Sequence, residues 1–384
     1  MDDDAAKYTE LGEDGTGLEK ESVEADSISH PFDPTRIRIE SKTESLVNII
    51  SRIEHGELNL NPGFQRMAGI WSDGAQSRLM ESMLIRVPLP AFYMDATNED
   101  HWIVIDGLQR LTAVRRFVID KELKLTDLEF LKDLHTKTFD KLPHNFQRRI
   151  RETNVTVYLI EPGTPPDVKF NIFKRINTGG MPLSPQEIRH ALNQKGPATA
   201  LLIELANSKE FKTATDYGVR DKRRGAEECV LRFFAFRLVT YNEDNAEDNA
   251  KDFDSFLNKA MEQINKKSEK EILALKQEFF RAMKAARCIF GPYAFRKIYG
   301  RQHTRNPINK SLFEAWSVNL ASLDDRQLEI LFSKKEQVTD KFICLLNNDR
   351  DFDSAISQGT GKDAKVRKRF EDIKELISEV VNAG

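Results

Sequence analysis

Three cysteines in 384 residues, Cys229, Cys288 and Cys344, are too few and too scattered for a disulfide framework or a cysteine metal site, and they suit a reducing cytoplasm. The seven histidines, His30, His55, His101, His135, His144, His190 and His303, form no close pair. The ligands of a ββα-metal nuclease are therefore missing, and His303 in RQHTRNP reads as part of a basic loop. No apolar run approaches the ~18 residues of a membrane span. No cationic start precedes an apolar core in the first residues, so no signal peptide is expected there. A Walker phosphate loop is also lacking. In GTGK, Gly359 to Lys362, Ile356 stands where the leading glycine belongs and Asp363 where a Mg²⁺-binding Ser or Thr belongs, so the segment reads as a loop before a helix. Tyr (7) and Trp (3) are scarce beside 24 Phe, which points to Phe-filled helical cores.

What is present is uneven. Residues 1–30 hold ten acidic groups against two lysines, a net of −8, so the rest of the chain carries +5 of the overall −3. With few large apolar residues to offset ordering entropy, residues 1–33 are expected to be a disordered acidic tail. The remaining length suits two domains, expected at 34–196 and 197–384. In the first, Leu46 to Glu54 reads as a helix and Leu58 to Phe64 as an extended entry. Ser72 or Asp73 caps a helix that runs to Arg86 and is ended by Pro88 and Pro90. His101 to Ile105 and Asn154 to Ile160 read as buried strands, and Leu108 to Val118 and Asp167 to Ile176 as helices, the latter stopped at Asn177-Thr178-Gly179-Gly180. Ser184, Pro185 and Glu187 make an almost complete capping box. From Ala198 onward only amphipathic helical segments are found: 198–206, 226–240, 253–266, 269–290, 310–320, 326–332, 339–347 and 366–381. Tyr241 to Asp254, polar and acidic, reads as a solvated loop. The fold class is thus α+β, a small-sheet α/β domain followed by an all-helical one.

Chemistry concentrates where the first of those strands turns into a helix. Asp106 ends the strand, Gly107 makes the turn, and Gln109 and Arg110 occupy the first helical turn, where free backbone N–H groups and the helix dipole favour anions. Arg110 can grip phosphate in a two-pronged contact, Gln109 can orient a water or a base edge, and Asp106 can hold Mg²⁺ or accept a proton. The competing reading is a structural turn, with Asp106 capping the helix and Arg110 paired to it.

Four ordered blocks add weight to the chemical reading: Phe64-Gln65-Arg66 followed by Trp71; Ile85 to Pro90; Ile105 to Ala113; and Ile172 to Gly180 with Leu183-Ser184 and Glu187-Ile188-Arg189. Together, from about Asn61 to Asn193, they resemble the DUF262 family, the N-terminal domain of GmrSD-type modification-dependent restriction systems. The family's central pattern is Asp-Gly-Gln-Gln-Arg; here Leu108 replaces the first Gln. The resemblance implies a ParB/sulfiredoxin-like fold with the turn at a nucleotide or phosphate site. Oxidised-cysteine repair is rejected, since no cysteine lies within a hundred residues of Asp106. It further implies catalytic roles for Asp106, Gln109, Arg110 and Glu187. Gln65, Arg66, Gly107, Arg175, Asn177 and Arg189 would bind a nucleoside triphosphate, and Asp106 would hold Mg²⁺.

Three basic clusters in the helical half, Arg220 to Arg224, Phe295 to Lys310 and Lys362 to Arg369, are candidates to follow a nucleic-acid backbone, with Tyr293, Phe295 and Tyr299 stacking on bases. Arg223, Arg224, Arg301, Arg305, Arg367 and Arg369 are the expected DNA contacts, and the acidic N-terminal stretch is expected to cover such a face at rest. The resulting expectation is a cytoplasmic bacterial restriction-type defence protein that hydrolyses a nucleoside triphosphate with Mg²⁺ and couples this to DNA. A separate nuclease or modification subunit would do the cutting. Alternatives are a non-catalytic DNA-binding specificity or regulatory subunit, and a ParB-like metal-dependent DNA nickase.

Overall fold

The computed structural model describes residues 10–12, 15–21, 37–60, 71–176, 183–194, 196–220, 223–239, 252–300 and 305–382. Contacts divide the chain into two units: Phe32–Leu192 forms one, and Asn193–Gly384 groups with the N-terminal segment as the other.

Five strands build the first unit: β1 (Ile39–Ser45), β2 (Leu58–Asn59), β3 (Phe92–Asp95), β4 (Trp102–Asp106) and β5 (Asn154–Ile160). They pair in the order β1-β5-β3-β4-β2. The sheet is mixed, β1 with β5 and β3 with β4 being antiparallel, β3 with β5 and β2 with β4 parallel. Successive side chains of a strand point to opposite faces, so each face collects its own set. Phe92, Met94, Val104, Val155, Val157 and Leu159 join one core with residues of α1 (Leu46–Glu54), α2 (Asp73–Leu84) and α3 (Leu108–Val114). Ile105 and Ile160 join another with Phe170 and Phe173 of α5 (Pro166–Ile176) and Ile188 and Ala191 of α6 (Pro185–Leu192). The short α4 (His144–Arg151) precedes β5. The α+β class read from the sequence is what the structure shows.

The helix expected over Leu108–Val118 is continuous, but beyond Val114 its ladder widens into a π turn, Arg115–Ile119. Ser72 caps α2, accepting from the Ala75 N–H at 3.2 Å. Two strands were not legible: β1 is an edge strand whose residues are mostly exposed, and β3 is only four residues long, directly after a proline pair.

The loop after the π turn is fastened by one carboxylate. Glu81, 3% exposed, accepts from the backbone N–H groups of Glu129 (2.9 Å), Phe130 (2.7 Å) and Leu131 (2.7 Å). Burial opposes its charge, but the three donors outweigh burial and hold its pKa below the ordinary 4.5. A depressed carboxyl contributes stability that is present above its unfolded pKa and lost as pH falls through the folded one. Thermal melts across acid pH should therefore drop more steeply for the wild type than for Glu81→Gln, which should cost roughly 2–3 kcal/mol near neutrality.

The second unit is helical: α7 (Pro197–Ala206), α8 (Lys209–Ala214), α9 (Gly225–Leu238), α10 (Phe253–Asn265), α11 (Glu269–Phe290), α12 (Lys310–Ala321), α13 (Asp325–Ser333), α14 (Lys335–Asn348), α15 (Arg350–Ser357) and α16 (Asp363–Asn382). Two of these, α8 with six residues and α15 with eight, were not read from the sequence. Ser268 with Glu271 and Asp324 with Gln327 form capping boxes at α11 and α13. The abundant Phe is used as expected: Phe211, Phe233, Phe234 and Phe279 meet at mixed angles, and Phe290, Trp316 and Phe342 edge to face. GTGK is a turn, with Lys362 N–H on the Gly359 carbonyl at 3.0 Å, leading into α16. Most of the loop expected at Tyr241–Asp254 lies outside the described residues, while Asp252 caps α10 by accepting from the Ser255 N–H at 2.8 Å.

The expected disorder of the acidic tail does not hold for residues 10–12 and 15–21, which pack within the helical unit. Leu18 is 6% exposed in its core, and Glu10, Glu19 and Glu21 find cations there. Composition alone misled, because local charge density counts against folding only when no opposite charge waits elsewhere in the fold. Among the described residues no helix is long and apolar enough to cross a membrane.

Candidate functional site

The turn after β4 is built as its sequence requires. Gly107 has φ +99°, the left-handed region that only glycine enters freely. A Cβ there would lie 2.4 Å from Phe92 Cδ1 and 3.2 Å from Arg110 Nη2. Leu108 is buried in the core between sheet and helices. Among the described residues no side chain accepts from the N–H groups of the first turn of α3.

Arg110 closes the turn from inside. Its guanidinium lies 4.6 Å above the Phe92 ring. Nη2 donates to Asp106 Oδ2 at 2.9 Å and to the Ala91 carbonyl at 3.2 Å, and Nη1 donates to the Pro90 carbonyl. Burial pulls its pKa below the ordinary value, opposed by the Asp106 carboxylate. The pairing of Arg110 with Asp106 is the one the structural reading of the turn anticipated. Arg110 also satisfies the carbonyls of the chain entering β3, which makes it a positioning residue.

The other half of the turn is open. The Asp106 side chain is 39% exposed, and its second oxygen, Oδ1, has no partner among the described residues. Gln109 is half-buried, and its side-chain amide makes no hydrogen bond among the described residues. A carboxylate oxygen and an amide without partners among the described residues thus lie within four residues of each other, beside the first backbone N–H groups of α3. Such a set can receive phosphate oxygens. Oδ1 is a single donor, and Mg²⁺ usually takes one or two carboxylates plus phosphate oxygens and waters, so Asp106 fits that ion only together with a bound phosphate. No group of three or more His, Cys, Asp or Glu suited to a metal occurs among the described residues.

The remaining candidates of this unit sit on the other face of the sheet. Glu187 is 3% exposed; it accepts from the Ser184 N–H at 2.6 Å, while its own N–H donates to Ser184 Oγ at 3.2 Å. The capping box is therefore complete. Arg189, 1% exposed, lies 5.0 Å over the Phe170 ring and donates to Gln186 Oε1 at 3.5 Å. Arg175 is exposed near the end of α5. Neither Asp106 nor Arg110 bonds to any of these three. Their link is indirect: Ile105, beside Asp106, and Ile188, between Glu187 and Arg189, share one core. Gln65, Arg66 and Asn177 lie outside the described residues.

A pair that the sequence did not disclose stands at the far end of β3. Asp95, 4% exposed, accepts from Thr97 N–H (2.9 Å) and Oγ1 (2.6 Å) and faces Lys169 Nζ at 3.5 Å. Its partner lies 74 positions away, beyond any local spacing rule.

Of the expected DNA contacts, Arg369 requires correction. It is fully buried, donating to Glu314 through Nε at 2.9 Å and to the Thr360 carbonyl at 2.8 Å, so it is a core cation and does not reach solvent. Arg224 pairs with Glu227. Arg367 is half exposed and pairs with Asp363. Arg305 bonds Asp216 and, at 3.0 Å, Glu10. Arg223 is half-buried, and Arg301 lies outside the described residues. Cys229 is buried, and Cys288 and Cys344 are exposed; all three are free.

Residues 46–193 match the family described as "GmrSD restriction endonuclease, N-terminal domain". The match ends within one residue of the contact-defined unit, Phe32–Leu192. No curated protein and no solved structure matches the chain.

Proposed function

We propose, from the premise that residues 46–193 form a GmrSD restriction endonuclease N-terminal domain, that this is a restriction-type defence protein whose first unit binds and hydrolyses a nucleoside triphosphate and whose helical unit meets DNA. The observation that carries the reading is the division of labour at Asp106–Arg110. Gly107 and Arg110 lock the turn, while Gln109 and the outer oxygen of Asp106 are left open beside uncapped N–H groups. Fixed donors aimed at phosphate, without reorganisation on binding, are what phosphoryl transfer requires. In this reading the N–H groups of α3 would receive the terminal phosphates, Gln109 would orient the attacking water, and Asp106 Oδ1 would be the protein's ligand for Mg²⁺. The ion would neutralise charge on the transferred group. Glu187 and Arg189, on the other face of the sheet, hold the start of α6 in place.

Gln109→Ala should leave the fold intact and lower hydrolysis by about 100-fold or more. Asp106→Ala should abolish Mg²⁺-dependent turnover and, by stranding Arg110, also lower stability. Hydrolysis at wild-type rates in both variants would refute the assignment.

A second reading is favoured by one observation. The Arg110 guanidinium is already committed to Asp106 and to backbone carbonyls, which leaves the turn itself without an unengaged cation to stabilise a transition state. A binding module that senses nucleotide or DNA phosphate without turnover would be built this way. Binding of a triphosphate with no product formed would select it.

A further inference from the structure

The acidic N-terminal segment is seated in a groove lined with cations. Glu10 bridges Arg296 (3.3 Å) and Arg305 (3.0 Å). Glu19 binds Lys297 at 2.7 Å and Asn309 Nδ2 at 3.1 Å. Glu21 accepts from Arg232 Nη1 at 2.8 Å and Thr360 Oγ1 at 3.0 Å, with Lys310 3.8 Å away. Among the described residues its backbone meets the rest of the unit through Glu19 N–H to the Ile308 carbonyl (2.8 Å), Ile308 N–H to the Gly17 carbonyl (2.9 Å) and Arg220 N–H to the Thr16 carbonyl (2.8 Å). Leu18 adds a buried apolar anchor.

Each of the five cations keeps a partner that belongs to the helical unit itself. Arg232 has Glu228 at 2.8 Å and Glu314 at 3.4 Å, Lys310 has Glu228 at 2.9 Å, and Lys297 has Ser357 Oγ at 2.7 Å. Arg305 has Asp216, and Arg296 has the Thr215 carbonyl at 3.2 Å. The groove would therefore keep its shape if the segment left. Its cations would then lack three carboxylates. At its border Tyr217, 70% exposed, is held at φ +56° directly after Asp216, which binds both Arg287 and Arg305. Tyr299, 43% exposed, follows Lys297 by two positions. Cations interleaved with presented aromatic rings are the chemistry of single-stranded nucleic-acid binding.

We propose that the segment carrying Glu10, Glu19 and Glu21 is a displaceable anionic strap and that the groove lined by their partners binds a single strand of nucleic acid, whose phosphates replace these three carboxylates. This deepens the DNA-facing half of the proposed function and rests on it. Strap and strand compete for the same cations, so the apparent affinity is the intrinsic one reduced by the small fraction of molecules with the strap released.

Two full-length variants release it by different means. Glu10→Gln/Glu19→Gln/Glu21→Gln removes the charge. Gly17→Ala leaves every charge in place, but its Cβ would fall 1.7 Å from the Gly218 carbonyl oxygen at φ +76°. Both should bind a fluorescent oligothymidylate roughly tenfold or more tightly than wild type, with a salt dependence steeper by about 2 in log–log slope for three phosphates. In the wild type, hydrogen exchange at the amides of Glu19 and Ile308 should accelerate when the oligonucleotide is added, a readout that needs no variant.

Unchanged affinity in both variants, or undiminished protection of Glu19 and Ile308 in the bound wild type, would overturn the inference. If wild type and variants all fail to bind while nucleotide hydrolysis persists, the strap inference falls and the nucleotide reading stands. Tighter binding by the variants without any hydrolysis would give the reverse.

Discussion

Gly107→Ala is expected to lower the melting temperature of the first unit by roughly 5–15 °C and to abolish nucleotide turnover. Two costs add. A non-glycine residue at φ +99° is strained by about 1–3 kcal/mol. The new methyl group meets Phe92 at 2.4 Å, and overpacking of this kind costs a further 1–3 kcal/mol or so. For a domain of this size each kcal/mol is worth about 2–4 °C. Phe92 cannot retreat cheaply, because it is fully buried and carries the Arg110 guanidinium on its ring. Displacing it would pull Arg110 from Asp106 and from the carbonyls of Pro90 and Ala91, so the open half of the turn would lose its frame. Differential scanning fluorimetry beside a phosphate-release assay reads both effects. A variant with wild-type stability would show that the turn accommodates a side chain and that its geometry is less constrained than described above.

Arg369→Ala is expected to destabilise the helical unit by about 3–5 kcal/mol, since removing one partner of a buried pair leaves the other poorly compensated, and Glu314 would keep only the longer contact to Arg232 at 3.4 Å. Arg369 and Glu314 are both fully buried. Burial pushes the Glu314 carboxyl up, against the pull of Arg369 and Arg232. Replacing both partners, Arg369→Met with Glu314→Met, should recover most of that loss, because two apolar groups of similar volume leave no charge stranded. Chemical denaturation of the two variants separates these outcomes. The DNA affinity of the folded fraction should not change in the single variant, which distinguishes a core cation from a surface contact. A surface role for Arg369 would instead give weaker DNA binding with unaltered stability.

How much of this was written in the sequence depends on the range of the interaction. Caps and turns are local, and Ser72, Ser184 with Glu187, and Asp106-Gly107 were legible because each is satisfied within a few residues. Strands β4 and β5 showed as dense apolar runs, whereas β1, polar and at the sheet edge, offered no alternation to read. The turn was found as a site, but its inner wiring was not. That Arg110 would spend its guanidinium on the Pro90 and Ala91 carbonyls depends on β3 passing beneath it, a tertiary fact. Arg369 misled for a similar reason: it lies in a basic run, KDAKVRKR, yet the helical phase points it inward onto Glu314, 55 positions earlier in the chain. The acidic N-terminal segment is the clearest case. Its composition argued for a solvated chain, and only the placement of Arg232, Arg296, Lys297, Arg305 and Lys310 around one groove shows where its charge is answered.

The nucleotide role of the Asp106–Arg110 turn is tested most directly by a combined thermal-shift and hydrolysis panel of the four nucleoside triphosphates with Mg²⁺, run on wild type and Gln109→Ala. A ligand present at about a hundred times its dissociation constant stabilises the folded state by roughly 2.7 kcal/mol, so binding without turnover is also visible. At least one triphosphate should raise the melting temperature of the wild type and be hydrolysed by it, while Gln109→Ala should melt normally without ligand and lose turnover by about 100-fold. No shift and no hydrolysis with any of the four, or turnover by Gln109→Ala at the wild-type rate, would contradict it.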